Sequence, residues 1–293
     1  MRIADNKTSE IAKWDKKLLK DELSNLDMDL DIFGFPVLSD FETKNVSSVE
    51  EYQEIEKTAL KTLYKLGKHR LLCGNSCNET DVARLMEEKV ANMCFTDPPY
   101  NVNYKGVSCK EIIKNDNLGS NFHPFLSKAL ENISKFTKGN IFICMGSSEA
   151  DTLADAAKNA EITFGQNLFW NKNHFVLGRS DYQNKHENIF FGYNTDRQPK
   201  LSLSSDILNF KSPQISKLHP TMKPIELVES CINAGSEPGD LVLDLFGGSG
   251  TTLIACEKTG RTCYMMELSP IFCDRIIQRF EKLTGEKAEI IEE

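Results

Sequence analysis

Several patterns are missing from this sequence of 293 residues, and each absence excludes a class of protein. It has no run of eighteen or more apolar residues, so it offers no candidate for a membrane-spanning helix. Its first residues lack the basic segment followed by an apolar segment that marks a secretory signal peptide. We therefore expect a cytoplasmic protein without a membrane partner.

Cysteine is frequent, but it shows no metal-binding or disulfide pattern. The nine cysteines include no Cys-x-x-Cys pair and are scattered, mostly within apolar stretches. Structural zinc sites usually need such closely spaced thiolates, so we interpret the cysteines as reduced packing residues and expect no metal. The histidines that invite a metal or triad interpretation also lack ligand spacing: His123, His174, His186 and His219.

The sequence also lacks the overall positive charge typical of nucleic-acid-binding proteins. Its net charge is −8, whereas lysine and arginine supply most non-specific affinity for phosphates. The acidity is concentrated in residues 1–60, which hold eight Lys and Arg against fourteen Asp and Glu. Residues 166–223 have the opposite balance, eight against four, and are suited to face nucleic acid. The alternative is that these charges are merely solvated surface.

Hydrophobic periodicity divides the chain into a helical part and an α/β part. Apolar residues at helical spacing predict an amphipathic helix over residues 9–30 and a second helix over about 48–65. From residue 70, short apolar runs alternate with amphipathic segments, which is typical of a parallel sheet covered by helices. The predicted strands are 69–74, 91–96, 140–146, 166–170, 188–193, 240–247 and 262–268. The predicted helices are 79–89, 121–136, 147–160, 224–235, 250–258 and 270–283.

This alternation predicts an α/β fold with an open, doubly wound, Rossmann-like sheet of about seven mostly parallel strands. We expect a helical extension over residues 1–66 and the sheet domain over residues 67–293. In such sheets, ligands bind beyond the carboxyl ends of the strands.

The first chemical signal is the tetrapeptide Asp97-Pro98-Pro99-Tyr100, which follows a predicted apolar strand. Two consecutive prolines fix φ and remove two backbone donors, so the strand must end there and the loop is stiff. A stiff loop can present a carboxylate and a carbonyl in fixed geometry with little reorganisation. The alternative is an ordinary rigid turn.

The second signal is an apolar strand that enters a glycine-rich turn over residues 246–250 and then a helix. Glycines allow a backbone to approach a ligand closely. A phosphate-binding P-loop would need a lysine before the hydroxyl residue, but Thr251 follows Gly250 directly. A dinucleotide fingerprint that begins at Gly248 would need a glycine where Leu253 stands.

The next predicted strand carries a carboxylate, Glu267, near its end, about twenty residues after the glycine turn. That spacing is expected of a carboxylate that accepts hydrogen bonds from ribose hydroxyls. The two segments together therefore predict a site for a ribose-containing ligand without phosphate recognition.

These motifs resemble those of the amino-methylating DNA methyltransferases, a family that modifies N4 of cytosine or N6 of adenine. The family's catalytic D-P-P-Y is matched at residues 97–100, and its F-x-G-x-G loop for S-adenosylmethionine at residues 246–250. The catalytic motif comes first, as in the permuted β group, and residues 219–224 (HPTMKP) look like that group's H-P-x-x-K-P segment. The resemblance covers about residues 70–283.

The resemblance implies S-adenosyl-L-methionine as cofactor and DNA as substrate. The implied catalytic residues are Asp97, Pro98, Pro99 and Tyr100. The implied cofactor-binding residues are Asn75, Lys223, Asp244, Phe246, Gly247, Gly248, Ser249, Gly250, Thr251, Thr252 and Glu267. Relatives commonly have aspartate where this chain has Asn75, which leaves the cofactor affinity open.

The residue types indicate how an exocyclic amine could become nucleophilic. If the Asp97 carboxylate and the Pro98 carbonyl each accept one N–H, the nitrogen becomes more tetrahedral and directs its lone pair at the sulfonium methyl. Asp97 can then take up the proton. The target base must leave the duplex, and Tyr100 is suited to stack on it. Other aromatic candidates for stacking, each also explained by core packing, are Phe125, Phe169 and Trp170.

Asp97 favours N6 of adenine, because serine at this motif position usually accompanies N4 of cytosine in the family. The alternatives are N4-cytosine methylation, methylation of RNA or protein amines, and a catalytically silent cofactor-binding module. Residues 101–122 and 194–218 are the candidate DNA-recognition segments. They are short for a recognition domain, so a homodimer partner is one way to complete it.

The amino-terminal residues have a weaker resemblance of their own. Residues 2–7 (RIADNK) and 11–15 (IAKWD) look like the end of the ParB-like partition-protein domain. We therefore expect residues 1–66 to include a partial ParB-like remnant. A helical extension without that ancestry is the alternative.

Overall fold

A computed structural model describes residues 57–103, 113–176, 181–194, 205–212 and 222–291. The chain forms two compact units: the larger comprises residues 49–173 and 186–293, and the smaller comprises residues 1–48 and 174–185. The strands are β1 Leu63–Leu66, β2 His69–Cys73, β3 Ala91–Thr96, β4 Thr137–Met145, β5 Thr163–Val176, β6 Asn184–Tyr193, β7 Ile207–Asn209, β8 Leu241–Asp244, β9 Thr262–Glu267 and β10 Glu289–Ile290. The α-helices are α1 Glu79–Met86, α2 Phe122–Phe136, α3 Ala150–Asn159, α4 Ile225–Gly235, α5 Thr251–Thr259 and α6 Pro270–Thr284.

The described strands form one sheet in the order β10-β1-β2-β9-β8-β3-β4-β6-β5-β7. The five central strands β2, β9, β8, β3 and β4 run parallel, and β6 is antiparallel to β4. Because β3 and β8 are parallel neighbours, the tetrapeptide after β3 and the glycine turn after β8 lie at the same edge of the sheet.

Helices cover the sheet on both faces, because its central strands are apolar on both sides. One core cluster contains side chains from the first three helices, such as Leu85, Leu126 and Ala156. The other contains side chains from α4, α5 and α6, such as Leu227 and Ile276. The doubly wound α/β architecture predicted from the sequence is confirmed.

The predicted strands and the helices within the sheet domain are all found, with end shifts of one to three residues for most of them. Three further strands, β1, β7 and β10, raise the described number from seven to ten. No described helix is both long enough and apolar enough to cross a membrane.

The helix predicted over about 48–65 is wrong at its end, because residues 63–66 are strand β1. The two residues between β1 and β2 form a tight hairpin, and the first of them, Gly67, has a φ of +57°. A glycine in this position is typical of such turns. The sheet therefore includes four residues ahead of residue 67. Residues 57–62, which the same prediction includes, are described and are not helical either. The helix predicted over residues 9–30, residues 48–56 of the second predicted helix and the ParB-like segment lie outside the described residues.

A buried histidine joins three elements of the sheet domain. His69, in β2, accepts the backbone N–H of Cys263 at its Nδ1 atom (2.9 Å), and its Nε2 lies 2.8 Å from the Glu257 carboxylate of α5. Since Nδ1 is an acceptor, the ring is neutral and Nε2 carries the proton. Burial lowers the pKa of His69, although Glu257 opposes this effect.

We expect the His69→Ala variant to lose about 3 kcal/mol of unfolding free energy, because it leaves a cavity and a buried N–H without its acceptor. A folded-state pKa below the unfolded value means that this histidine's stabilising contribution is complete above about pH 6.5 and is lost as the pH falls. Urea denaturation between pH 5 and pH 8 measures both effects. His123→Ala, at a half-exposed site, is the control. Equal losses in the two variants would contradict the assignment.

Candidate active site

A hydrogen bond joins the two motif-bearing strands at their carboxyl ends. The Thr96 hydroxyl of β3 donates to Asp244 Oδ1 of β8 at 2.7 Å, and both side chains are buried. Thr96 directly precedes the tetrapeptide, and Asp244 directly precedes the loop that carries the glycine turn. The backbone N–H of Phe246 donates to the same Asp244 oxygen at 3.0 Å. The two predicted motifs are therefore held side by side.

The Asp97 carboxylate is the centre of the polar contacts in the tetrapeptide. The Tyr100 hydroxyl donates to Asp97 Oδ1 at 2.8 Å. The Lys223 ammonium donates to Asp97 Oδ2 at 2.7 Å and to the Tyr100 hydroxyl at 3.1 Å. Lys223 is 5% exposed and also lies 5.3 Å from the centre of the Tyr100 ring. One carboxylate, one phenol and one ammonium thus form a closed triangle.

Two further charged side chains, Glu187 and Lys172, extend the contacts of this triangle. Glu187, in β6, places its Oε2 atom 3.2 Å from the Lys223 ammonium and 3.4 Å from the Tyr100 hydroxyl. The ammonium of Lys172, in β5, donates to the other Glu187 oxygen. The strand register explains this placement: Asn188 pairs with Met145 at the end of β4, so β6 begins where the parallel strands end.

Burial and pairing act in opposite directions on the pKa values of these groups. Burial raises the pKa of Asp97, and Lys223 only partly offsets the effect. Burial also raises the pKa of the Tyr100 hydroxyl, so it stays protonated and donates. Burial opposes ionisation of Glu187, but Lys223 and Lys172 lower its pKa to about 2. Burial alone would lower the pKa of Lys223, but Asp97 and Glu187 raise it. The ammonium therefore remains charged.

A second carboxylate fixes the loop that follows the tetrapeptide. Buried Asp116 accepts the backbone N–H groups of Tyr100 at 3.0 Å and Val102 at 3.4 Å. Asn101, with a φ of +58°, accepts the N–H groups of Leu118 and Gly119 with its side-chain oxygen. Side-chain oxygens on each segment therefore accept backbone N–H groups of the other, which joins the tetrapeptide loop to residues 116–119.

The Tyr100 ring lies against Gly146, the residue that follows β4. A Cβ atom at Gly146 would lie 3.3 Å from Tyr100 Cδ2, which is tighter than ordinary contact. Glycine here leaves room for the ring.

The glycine turn has the backbone shape that its residues suggested. Gly248 and Gly250 have φ values of +51° and +77°, and Gly250 is the N-cap residue directly before α5. The Gly248 N–H donates to Glu267 Oε2 at 2.7 Å, and the Ser269 N–H donates to Glu267 Oε1 at 2.7 Å. The predicted ribose acceptor therefore also anchors the turn. Burial raises the pKa of Glu267 to about 7, although these donors oppose the shift.

Other predicted cofactor residues surround this turn. Asn75 follows β2, whose last residue, Cys73, pairs with Glu267 of β9. The half-buried Phe246 ring contacts Phe125 of α2 edge to face, with 5.9 Å between ring centres. Thr251 and Thr252 are buried, and Ser249 contacts Thr251 through their hydroxyls at 2.9 Å.

The structure shows contacts for two further residues that the sequence analysis named. Lys223 was predicted beside the cofactor, and its ammonium contacts the Asp97 carboxylate. Trp170 is buried and donates to the Phe210 carbonyl at 2.7 Å, so it is a core residue. Residues 104–112, 195–204 and 213–221 lie outside the described part of the chain, and with them lie His219 and much of both recognition segments.

Four residues of the site were missed by sequence reasoning: Lys172, Glu187, Asp116 and Gly146. The signal for Glu187 was its place just ahead of a predicted strand, but an antiparallel direction was needed to bring it to this edge. Asp116 and Gly146 carry no motif, and only the folded loops show what they contact.

Comparisons with known proteins identify the motifs as those of a family. The family described as DNA methylase matches residues 91–279, which is more than half of the chain. Type II methyltransferase M.HpaI of Haemophilus parainfluenzae is 26% identical over 240 residues, covering 72% of this chain and 74% of its own length. Type II methyltransferase M.XycI of Xanthomonas campestris pv. cyanopsidis is 32% identical over 111 residues, and the match covers only 36% of each chain.

Solved structures share the fold at low identity. TTHA0409, a putative DNA modification methylase of Thermus thermophilus solved with S-adenosyl-L-methionine, has a TM-score of 0.56 at 17% identity. That match covers 75% of this chain and 96% of the other. The cytosine-N4-specific PvuII DNA methyltransferase has a TM-score of 0.53 at 18% identity, covering 73% of this chain and 89% of the other.

We expect Thr96→Val to lower the unfolding free energy by about 2 kcal/mol, because the buried Asp244 carboxylate loses a charge-assisted hydrogen bond without a large change in side-chain shape. Urea denaturation at pH 8 measures the loss. Thr80→Val, on an exposed position of α1, is the matched control and should change stability by less than about 0.5 kcal/mol. A Thr96→Val variant as stable as that control would show that the bond does not hold the two strand ends.

Proposed function

This chain belongs to the DNA methylase family, and from that membership we propose that it transfers a methyl group from S-adenosylmethionine to N6 of adenine in DNA. The observation that carries the proposal is the Thr96–Asp244 hydrogen bond, which holds the Asp97 carboxylate beside the glycine turn. An acceptor for an amine and a candidate cofactor loop are thereby neighbours.

The donor set at the glycine turn fits S-adenosylmethionine. Glu267, a partly exposed residue at the end of β9, carries a carboxylate, the group suited to accept hydrogen bonds from ribose hydroxyls. The turn of residues 246–250 contains no lysine or arginine, as expected for a ligand without phosphate. Phe246 and Phe125 supply an aromatic wall. We assign cofactor binding to these groups, together with Asn75 and the backbone of Gly248.

When bound, S-adenosylmethionine supplies a methyl group on a sulfonium sulfur, which keeps the electron pair of the broken C–S bond. The protein's part is to prepare the amine. Asp97 and the Pro98 carbonyl accept its two N–H hydrogens and direct the nitrogen lone pair toward the methyl carbon. As the N–C bond forms, the nitrogen loses a proton, and Asp97 accepts it. Tyr100 and Lys223 hold Asp97 in place during this step.

DNA enters this proposal through the family and through the position of the target atom. An exocyclic amine is paired inside a duplex, so the base is flipped out, and we assign the Tyr100 ring to stack on it. We assign recognition to residues 101–122 and 194–218, with a homodimer partner to extend a short recognition surface.

Asp97 at the first motif position supports adenine as the target. N4 of cytosine is the second candidate, because PvuII DNA methyltransferase shares the fold and is cytosine-N4-specific. Both amines need the same pair of acceptors, so the geometry of Asp97 and Pro98 suits either.

The deciding experiment incubates unmodified bacterial DNA with the protein and labelled S-adenosylmethionine, followed by digestion and mass spectrometry of the nucleosides. We expect the label in N6-methyladenine. Label in N4-methylcytosine would overturn the adenine assignment and keep the amine chemistry. Parallel reactions with ribosomal RNA and with protein test the other acceptor classes, and label in either alone would overturn DNA as the substrate.

We expect Asp97→Ala to reduce methyl transfer by at least about a hundredfold, because the amine loses its charged acceptor. S-adenosylmethionine binding should stay within about tenfold of the parent, or 1.4 kcal/mol. Lys223 keeps Glu187 as a partner in this variant, so the fold should survive. Calorimetry and methyl-transfer rates separate the two effects. Asp151→Ala, an exposed aspartate in α3, is the control. Equal loss of binding and transfer would make Asp97 a cofactor or folding residue.

A further inference from the structure

The buried charges beside the tetrapeptide form a row of alternating sign. Starting from Asp97, the row continues through Lys223 and Glu187 to Lys172. Lys223 lies 2.7 Å from the Asp97 carboxylate and 3.2 Å from the Glu187 carboxylate, so two anions share one ammonium. Lys172 binds the other oxygen of Glu187. The row connects four separate parts of the chain.

We propose that Glu187 is a positioning residue that shares the Lys223 ammonium with Asp97 and thereby sets how strongly Asp97 accepts the target amine. Lys172 assists by holding Glu187. The inference rests on the proposed function, since it assigns a role in preparing the same amine.

The demands on Asp97 explain why sharing is useful. The carboxylate must stay ionised in a buried site, which requires a nearby cation. It must also keep acceptor capacity for an incoming N–H, although Tyr100 and Lys223 already occupy one site on each oxygen. If Asp97 were the single carboxylate partner of the Lys223 ammonium, the ammonium would bind Asp97 more tightly. The basicity of the Asp97 carboxylate would then be lower. Glu187 draws part of that ammonium's hydrogen bonding away from Asp97.

Because these side chains are largely buried, each charge in the row affects the electrostatic potential at its neighbour. The side chain of Lys223 is 5% exposed, that of Lys172 is 14% exposed, and the two carboxylates are each 22% exposed. Charges this far from solvent are weakly screened, so removing one changes the potential at Asp97. Among the residues that the structure describes, the other titratable groups that interact with Asp97 are Tyr100 of its own loop, Cys144 of β4 and Asp244 of β8.

A purely structural role makes a different prediction. If the row only ties β5 and β6 to the tetrapeptide, removing either outer charge should lower stability without moving the titration of Asp97 in a particular direction. If Glu187 and Lys172 tune Asp97, their removal should shift the pKa of Asp97 in opposite directions. Loss of the Glu187 anion should lower it, and loss of the Lys172 cation should raise it.

The first test is a carbon-13 titration of the Asp97 carboxyl group in the ligand-free, full-length chain, with the signal assigned by Asp97→Asn. We expect Glu187→Gln to move the midpoint down and Lys172→Gln to move it up, each by about half a pH unit or more. Glu131→Gln, which removes the carboxylate of an exposed ion pair with Lys128 on α2, should leave the Asp97 midpoint unchanged. Shifts of the same sign, or none, would overturn the proposal.

The second test measures single-turnover methyl transfer to DNA across pH. Ionised Asp97 is the active form, so the rate rises with pH through its pKa, and this acid limb should move down in Glu187→Gln and up in Lys172→Gln. The maximal rate of Glu187→Gln should fall about tenfold with substrate affinity within about twofold, and Glu187→Asp should recover part of the rate. If the acid limb of the pH–rate profile and the maximal rate were unchanged in both variants, the positioning role would be refuted. A parent protein inactive on DNA would refute the proposed function, whereas the carboxyl titration tests the charge coupling separately.

Discussion

The hydrogen bond between Thr96 and Asp244 joins the last residues of two parallel neighbours, and the arrangement of the whole site depends on that pairing. The tetrapeptide and the glycine turn are about 150 residues apart in the chain. The pairing of β3 with β8 brings both loops together in space at one edge of the sheet. Packing on the two faces then keeps the strands in register, so the precision of the loops derives from a rigid core.

Placing a carboxylate at this edge has an electrostatic consequence. Asp97 is desolvated by the elements that position it, and an unpaired carboxylate there would take up a proton and cease to be an acceptor for N–H groups. Lys223 opposes this protonation. A buried lysine also needs anions around it, and Glu187 provides the second. Each charge in the row therefore stabilises the ionised form of the next, and the row ends at Lys172, whose side chain is 14% exposed against 5% for Lys223.

The sequence was sufficient to predict the doubly wound sheet and the two motif loops, because both depend on local signals. Apolar runs mark the strands, consecutive prolines end β3, and glycines with positive φ form the turn before α5. Glu187 and Lys172 could not be placed in the same way, since their role depends on the antiparallel entry of β6 beside β4. Lys223 was recognised in its motif, but its contact with Asp97 was not predicted, because a short sequence pattern does not show which way a long side chain turns. The hairpin at Gly67 was missed because its flanking residues also fit a helical period.

The bonds from Asp116 to the backbone of Tyr100 and Val102 link two tasks that are usually considered separately. Asp116 lies in a segment that we propose for DNA recognition, and the same residue holds the loop that we propose for the chemistry. A displacement of that segment by a poorly fitting duplex would be transmitted to the tyrosine and to the acceptor beside it. Discrimination between correct and incorrect sites would then appear in the rate of the chemical step as well as in the strength of binding, so a mismatched duplex could dock and still escape modification.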